Sequence, residues 1–292
     1  MFIEGTKYLD KDTGIKYDSY LPEYYFFDFE SKKYILEEEM VCSLFENKQY
    51  KSVLELGVGT GRITSYLINK SKDYKGIDIS QSMINQIKQK INDPRADFSV
   101  FEINDFINQY DNFNDHDLIC SFWAFNYSIL SFFETKNYET NEIRASNNLI
   151  ESEKKASTHI SKLFKSLKKG CEFVFFYFDA YSVEQSYATR IMEKTLPFPY
   201  NDRGYTYKVF KNTLQNLKSK QLLDYSVEHL NGYVKLEDDN HLLNYYKELH
   251  LKNEVNSKED EIKLLSTFSP YKYTSGEYKI PAGVNIIIGK IL

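Results

Sequence analysis

The stretch that decides the fold is Ser52-Val-Leu-Glu-Leu-Gly-Val-Gly-Thr-Gly-Arg-Ile-Thr64, "SVLELGVGTGRIT". A short apolar strand runs into three glycines at alternate positions, Gly57, Gly59 and Gly61, and then into an apolar-periodic helix carrying Ile63, Leu67 and Ile68. At the carboxyl end of a strand in an open parallel sheet, such a turn is where ligands sit. Without β-carbons the main chain approaches a ligand closely, and the following helix offers free N–H groups. The spacing then chooses among ligands. A dinucleotide fingerprint places its third glycine one residue later than Gly61, where Arg62 stands, and the GxxxxGK[ST] phosphate loop is absent.

Outward from that stretch, strand and helix alternate. "YKGIDIS" is a second strand ending on Asp78, and Ser80 caps a helix whose buried stripe is Met83, Ile84, Ile87 and Ile91. "DFSVFEI" alternates as a third strand, and the continuous apolar run of "DLICSFWAF" suits a fourth strand covered on both faces. A helix over Asn148 to Lys168 stops at Gly170, and "CEFVFFYFD" is the fifth strand. This rhythm predicts an α/β fold: a doubly wound, mostly parallel, seven-stranded Rossmann-like sheet with helices on both faces. After residue 179 it breaks. "LLDYSVEHL" and "HLLNYYKELHL" suit antiparallel strands, and a loop "LPFPYNDRGY" precedes them. Ser257 with Asp260 reads as a capping box opening a last helix, with "YKYTSGEYKI" and "VNIIIGKIL" as two closing strands. The predicted organisation is an aromatic lid and helix over 1–50, a ligand-binding core over 51–179, an inserted substrate-covering subdomain over 180–256, and a return to the core over 257–292.

A net charge of −5 over 292 residues argues against a main task of gripping phosphate backbones. Cys42, Cys120 and Cys171 lack CxxC spacing, and two lie in apolar runs, which fits buried thiols in a reducing cytoplasm. The start "MFIEGTKYLDKDTG" has no basic and apolar leader pattern, and no apolar run has the length of a membrane span. His116, His159, His229, His241 and His250 form no metal-ligand spacing, so no metal is expected.

The pattern Glu55-Leu-Gly57-Val-Gly59-Thr-Gly61, with Asp78 closing the next strand, resembles the class I S-adenosylmethionine-dependent methyltransferases. "GIDIS" with "QSMI", "FEINDF", "HDLICSFWAFNYSI" and "LFKSLKKGCEFVFF" are similar to four further segments of that family, in order, so the likeness spans about residues 50 to 180 and the final strands. The resemblance implies S-adenosylmethionine as cofactor and S-adenosylhomocysteine as product. It implies that Glu55 and the Gly57–Gly59 backbone hold the methionine moiety. Asp78 would accept from both ribose hydroxyls, a task for which a carboxylate's two oxygens are suited. Glu102 would receive the adenine amino group, with Ile103 beside the ring and Met83 packing on it. The family more often has Asp where Glu102 stands, and Asp105 is close enough to compete. Gly61, Ile79 and Ser121 complete the expected cofactor contacts.

"SFWAFNYSIL" carries no Asp-Pro-Pro-aromatic-type element of nucleic-acid amino methyltransferases and looks like the small-molecule branch, where this loop lines the acceptor site. Trp123, Asn126, Tyr127 and Tyr24 are the acceptor candidates. Tyr17, Tyr20, Tyr24 and Tyr25 lie in a segment that in this branch folds over the cofactor, and Tyr17 and Tyr25 are the catalytic candidates. Aromatic rings suit a sulfonium or an amine that turns cationic on methylation, though each tyrosine could equally pack the first helix. The expected activity is methylation of a small molecule, amine nitrogen ahead of hydroxyl oxygen, by a monomer or homodimer. His229, His241 and His250 are the available bases for an O-methylation. The alternatives are another transfer from the same cofactor, a nucleic-acid or protein acceptor, or a non-catalytic partner subunit.

Overall fold

A computed structural model describes residues 13–136, 143–195, 204–251 and 255–292. Strands β1 (Glu23–Asp28), β2 (Lys33–Leu36), β3 (Tyr50–Leu56), β4 (Ser71–Asp78), β5 (Ala96–Val100), β6 (Leu118–Phe122), β7 (Glu134–Lys136), β8 (Ile143–Ala145), β9 (Glu172–Phe178), β10 (Leu223–Leu236) and β11 (Tyr278–Ile291) alternate with helices. Nine of them form one sheet in the order β2-β1-β10-β11-β9-β6-β3-β4-β5, and β7 pairs separately with β8. The five strands β9, β6, β3, β4 and β5 are parallel; β11 and β10 close the sheet in antiparallel register.

The apolar pattern explains the layering. Along β9, Phe173, Phe175 and Tyr177 face one layer while Val174 and Phe176 face the other, and the two sets belong to separate buried clusters. The first cluster packs the helices Glu37–Leu44, Thr64–Ile68, Gln81–Lys90 and Lys258–Phe268; the second packs Ile103–Gln109, Phe125–Leu130, Leu149–Ser166 and Tyr205–Ser219. Side-chain caps fix several helix starts. Asn148 Oδ1 accepts from Glu151 N at 3.1 Å, Ser80 Oγ from Met83 N at 3.3 Å, and Ser257 with Asp260 makes the reciprocal box. The strand order reverses between β3 and β6, so the loops leaving their carboxyl ends flank a crevice.

The architecture departs from the sequence reading in four places. The tyrosine-rich segment forms the hairpin β1–β2, which extends the sheet to nine strands; only the short helix Thr13–Tyr20 before it lies across the crevice. Residues 223–236 are not part of a separate antiparallel unit: β10 is a long strand of the main sheet. "HLLNYYKELHL" is helical, Asp239–Asn244 followed by a π-helical turn Tyr245–His250, because Leu242, Tyr245, Tyr246 and Leu249 recur at helical spacing and are all buried. "YKYTSGEYKI" and "VNIIIGKIL" are not two strands. The run Tyr278–Ile291 is one, continuous through Pro281 and paired residue by residue with β10. The loop over residues 196–203 lies outside the described residues.

Gly232 is where the hairpin meets the sheet. A β-carbon there would stand 2.0 Å from the Tyr25 carbonyl oxygen, so only glycine lets β1 pair with β10. Gly232→Ala is expected to cost about 1–3 kcal/mol, the scale of overpacking a close contact, read as a lowered urea midpoint. An unchanged midpoint would contradict this pairing.

Candidate functional site

The three glycines answer to three different constraints. β3 ends at Leu56, and the next two amides, of Gly57 and Val58, both donate to the Ile77 carbonyl at 2.8 and 3.0 Å, so the chain peels off over the end of β4. All three glycines have positive φ, +83°, +53° and +85° in chain order. At Gly57 a β-carbon would stand 2.2 Å from Ala124 Cβ, so this glycine lets the loop after β3 touch the loop after β6. At Gly61 it would meet Ile87 at 2.6 Å, which makes that glycine a helix-packing residue. At Gly59 nothing lies within 4 Å. That open space belongs to a cavity.

The cavity holds about 500 Å³, inside the ~300–1,000 Å³ range of small-ligand sites. Glu55, Gly57, Gly59, Asp78, Ile79, Met83, Glu102 and Ile103 line it, as do Tyr17, Trp123 and Tyr127. Asp78 is clamped: Oδ2 accepts from Gly59 N and Oδ1 from Ser80 N, each at 2.9 Å. Burial raises its carboxyl above the usual range while the two amides pull it back. Glu55 is buried and accepts from Thr64 Oγ1 at 3.1 Å and from the Tyr74 hydroxyl, and desolvation pushes it up to about 7. Glu102 caps the helix Ile103–Gln109 through Asp105 N at 2.9 Å, and burial raises its carboxyl too.

Part of the lining is aromatic. Trp123, with φ +66°, stacks on Tyr24 at 5.5 Å and lies 4.5 Å from Phe178. Tyr17 and Leu21 close over it from the N-terminal helix region, where Asp18 accepts from Thr60 Oγ1 at 2.5 Å and pairs with Lys90, and Gly14 N donates to Ser82 Oγ at 3.0 Å.

Five candidates do not line the cavity. Tyr25 alternates to the other side of β1, where its ring lies 5.0 Å from Tyr233 and its hydroxyl donates to Glu23 at 3.1 Å, away from the lining. Tyr24 is buried beneath Trp123 with its hydroxyl 3.2 Å from that of Tyr245. Ser121 is fully buried and donates to the Leu56 carbonyl at 2.7 Å, bracing β6 on β3. Gly61 packs on Ile87, as above, and Asn126 sits on the helix Phe125–Leu130 off the lining. The histidines stay outside as well. His229 lies between Asn285 and Asn231, His241 meets the Leu21 carbonyl at 3.2 Å, and His250 stands 3.6 Å from Glu184.

Sequence reasoning missed Arg62, Asn104, Ser128, Ser131 and Phe178, which also line the cavity. Asn104 Nδ2 donates to the Ser128 carbonyl at 3.0 Å and to Ser131 Oγ at 2.8 Å, tying the helix after β5 to the helix after β6. In the sequence Arg62 only argues against the dinucleotide fingerprint. Its place directly after the last glycine is the signal of a position on the lining.

The residues present fit an adenosyl sulfonium cofactor. The empty space over Gly59 admits a ligand against bare main chain, and a fixed carboxylate stands at its edge. No group of three or more potential ligands suits a metal among the described residues, and no helix among them is long and apolar enough to cross a membrane.

Comparison with known proteins agrees with this geometry. Residues 53–135 match the family model described as a methyltransferase domain. None of the curated proteins matches the chain by sequence. Among solved structures, phosphoethanolamine N-methyltransferase 2 of Haemonchus contortus, in complex with phosphomonomethylethanolamine and S-adenosylhomocysteine, is 13% identical, with a TM-score of 0.50 over 99% of this chain and 60% of that one. YcgJ of Bacillus subtilis is 11% identical, with a TM-score of 0.49 over 87% of this chain and 97% of its own. At 13% identity the likeness to the Haemonchus contortus enzyme is one of fold. With the family match over the glycine loop and the crevice behind it, residues 53–135 carry a methyltransferase domain.

Proposed function

We propose that the chain methylates a small-molecule amine, with the cofactor's nucleoside at the Gly59–Asp78–Glu102 end of the cavity and the acceptor at the Trp123 end. The observation that carries this reading is the aromatic lining: Trp123, Phe178, Tyr17 and Tyr127 all line the cavity, the first two with ring centroids 4.5 Å apart, and no histidine is on it. S-adenosylmethionine supplies an electrophilic methyl group on a sulfonium. Attack on it needs alignment and exclusion of water. An amine need only be neutral, whereas a hydroxyl needs a base; no histidine lies on the lining, and three of its carboxylates, Glu55, Asp78 and Glu102, are already hydrogen-bonded within the protein. Aromatic faces stabilise the ammonium that forms. Four carboxylates on the lining, Glu55, Asp78, Glu102 and Asp105, stand against one arginine among the described residues, which favours a cationic over an anionic guest.

Tyr17, Trp123 and Tyr127 then touch the acceptor, and Tyr25 has no part. A roofed cavity of this size and the net charge of −5 favour a small molecule over nucleic acid. The three cysteines are free, in keeping with a cytoplasmic setting.

The acceptor is tested by incubating a metabolite extract with the protein and isotope-labelled cofactor, followed by mass spectrometry. The reading expects the label on nitrogen. Label on hydroxyl oxygen, or only on RNA or protein, would overturn it.

Two predictions concern the cofactor. Asp78→Ala should weaken binding of S-adenosylhomocysteine by roughly 5- to 150-fold, the ~1–3 kcal/mol of a charged hydrogen-bond partner, measured by calorimetry; an unchanged dissociation constant would reject the ribose role. Glu55, raised to about 7, ionises as pH rises through that value, so if it holds the cofactor's ammonium, affinity should climb several-fold from about pH 6 to pH 7.5. In the free protein the sign is opposite. A carboxyl raised by burial contributes stability below its ordinary value, and that contribution is lost as pH rises toward 7. Glu55→Gln should flatten both profiles, and a binding profile that keeps its slope in this variant would remove Glu55 from the site.

A further inference from the structure

Trp123 is the one tryptophan of the chain, and it sits in the left-handed region at φ +66°, which a bulky residue adopts only when its surroundings impose it. Three contacts impose it. Its amide donates to the Phe176 carbonyl at 3.3 Å, its ring packs between Tyr24 and Phe178, and its indole N–H donates to Glu37 Oε1. Glu37 opens the helix Glu37–Leu44, well before the cofactor motifs, and is only 2% exposed. Its other oxygen, Oε2, lies 2.9 Å from Arg62 Nη1, and the Arg62 guanidinium stands 5.7 Å from the centroid of the Tyr24 ring. One buried carboxylate therefore joins the wall after β6 to the loop after β3, and it cancels the cation on the lining.

We propose that Glu37 is a positioning and specificity-determining residue for the acceptor: it holds the Trp123 indole toward the cavity and neutralises Arg62, so that this end accepts an amine and releases an ammonium. The proposal rests on the amine reading above for its choice of guest, and on the Glu37 contacts alone for the posture of Trp123. Buried carboxylates are costly and persist where their partners need the charge. Removing this one leaves the Arg62 charge beside the aromatic wall, where it repels cations and draws anions. Glutamine is close to glutamate in size and can still accept from the indole, so Glu37→Gln isolates the neutralising role. Glu37→Ala removes both roles.

The single tryptophan makes the test direct. Trp123 emission is titrated with tetramethylammonium chloride and, separately, with sodium sulfate, on protein saturated with S-adenosylhomocysteine, whose own affinity is checked by calorimetry. The unaltered protein should respond saturably to tetramethylammonium and not to sulfate. In Glu37→Gln the tetramethylammonium dissociation constant should rise at least fivefold and a sulfate response should appear, while affinity for S-adenosylhomocysteine stays within twofold. In Glu37→Ala the free-protein emission should also shift to the red, with acrylamide quenching raised several-fold. If Glu37→Ala does not fold, Glu37→Gln carries the test by itself. Unchanged emission, quenching and ion preference in the folded variants would overturn the proposal. If the unaltered protein ignores tetramethylammonium while emission still shifts in Glu37→Ala, the amine reading fails and the posture of Trp123 remains assigned to Glu37.

Discussion

The structure depends on one clamp. The Asp78 carboxylate takes the amide of Gly59 on one oxygen and that of Ser80 on the other. It thereby ties the loop leaving β3 to the end of β4, fixes the start of the helix Gln81–Lys90, and holds the open main chain of Gly59 toward the cavity. Both bonds are charge-assisted, and such bonds are about twice as strong as neutral ones. The carboxylate pays for its burial with these two donors and keeps further acceptor capacity for a diol. Without the clamp the Gly59 amide loses its partner, and the loop is left to the Gly57 and Val58 amides on the Ile77 carbonyl.

The parallel core was legible in the sequence because its signals are local. Apolar runs such as Leu118–Phe122 mark doubly covered strands, Ser80 and Asn148 mark helix starts, and Gly57, Gly59 and Asp78 lie within one strand-turn-helix-strand unit. The regions that misled are those where tertiary pairing overrides local pattern. Tyr24 and Phe26 are buried because β10 lies beside them, with Gly232 making room. Nothing within residues 23–36 announces a partner about two hundred residues away. Conversely, Tyr245 and Tyr246 carry β-favouring side chains yet form a π-helical turn, fixed by a buried network in which the Tyr246 hydroxyl donates to the Glu184 carbonyl at 2.9 Å.

The site divides along the same line. The part where the family resemblance puts the cofactor is local in the chain, since Glu55, Gly57, Gly59 and Asp78 all lie on β3, β4 and the segment between them. Its aromatic part is assembled from separated segments, the helix before β1, the loop after β6 and the end of β9, with the start of the helix Glu37–Leu44 bonded to Trp123 behind it. Trp123 and Tyr127 could be singled out because they follow the fourth parallel strand. Phe178 and Glu37 could not, because their roles arise from contacts across the crevice. Tyr25 shows the reverse case, an aromatic residue in the right segment whose strand alternation turns it away. Gly61 and Ser121 show a third: motif positions that serve packing, one against Ile87 and the other against the Leu56 carbonyl.

The central claim is that the crevice between the glycine loop and Asp78 seats an adenosyl group. The most direct measurement is a crystal structure of the chain grown with S-adenosylhomocysteine. The account predicts density for the nucleoside over Gly59, with both ribose hydroxyls on the Asp78 carboxylate and the thioether directed toward Trp123. A crevice filled by the protein's own side chains, or a nucleoside bound elsewhere with Asp78 untouched, would contradict it.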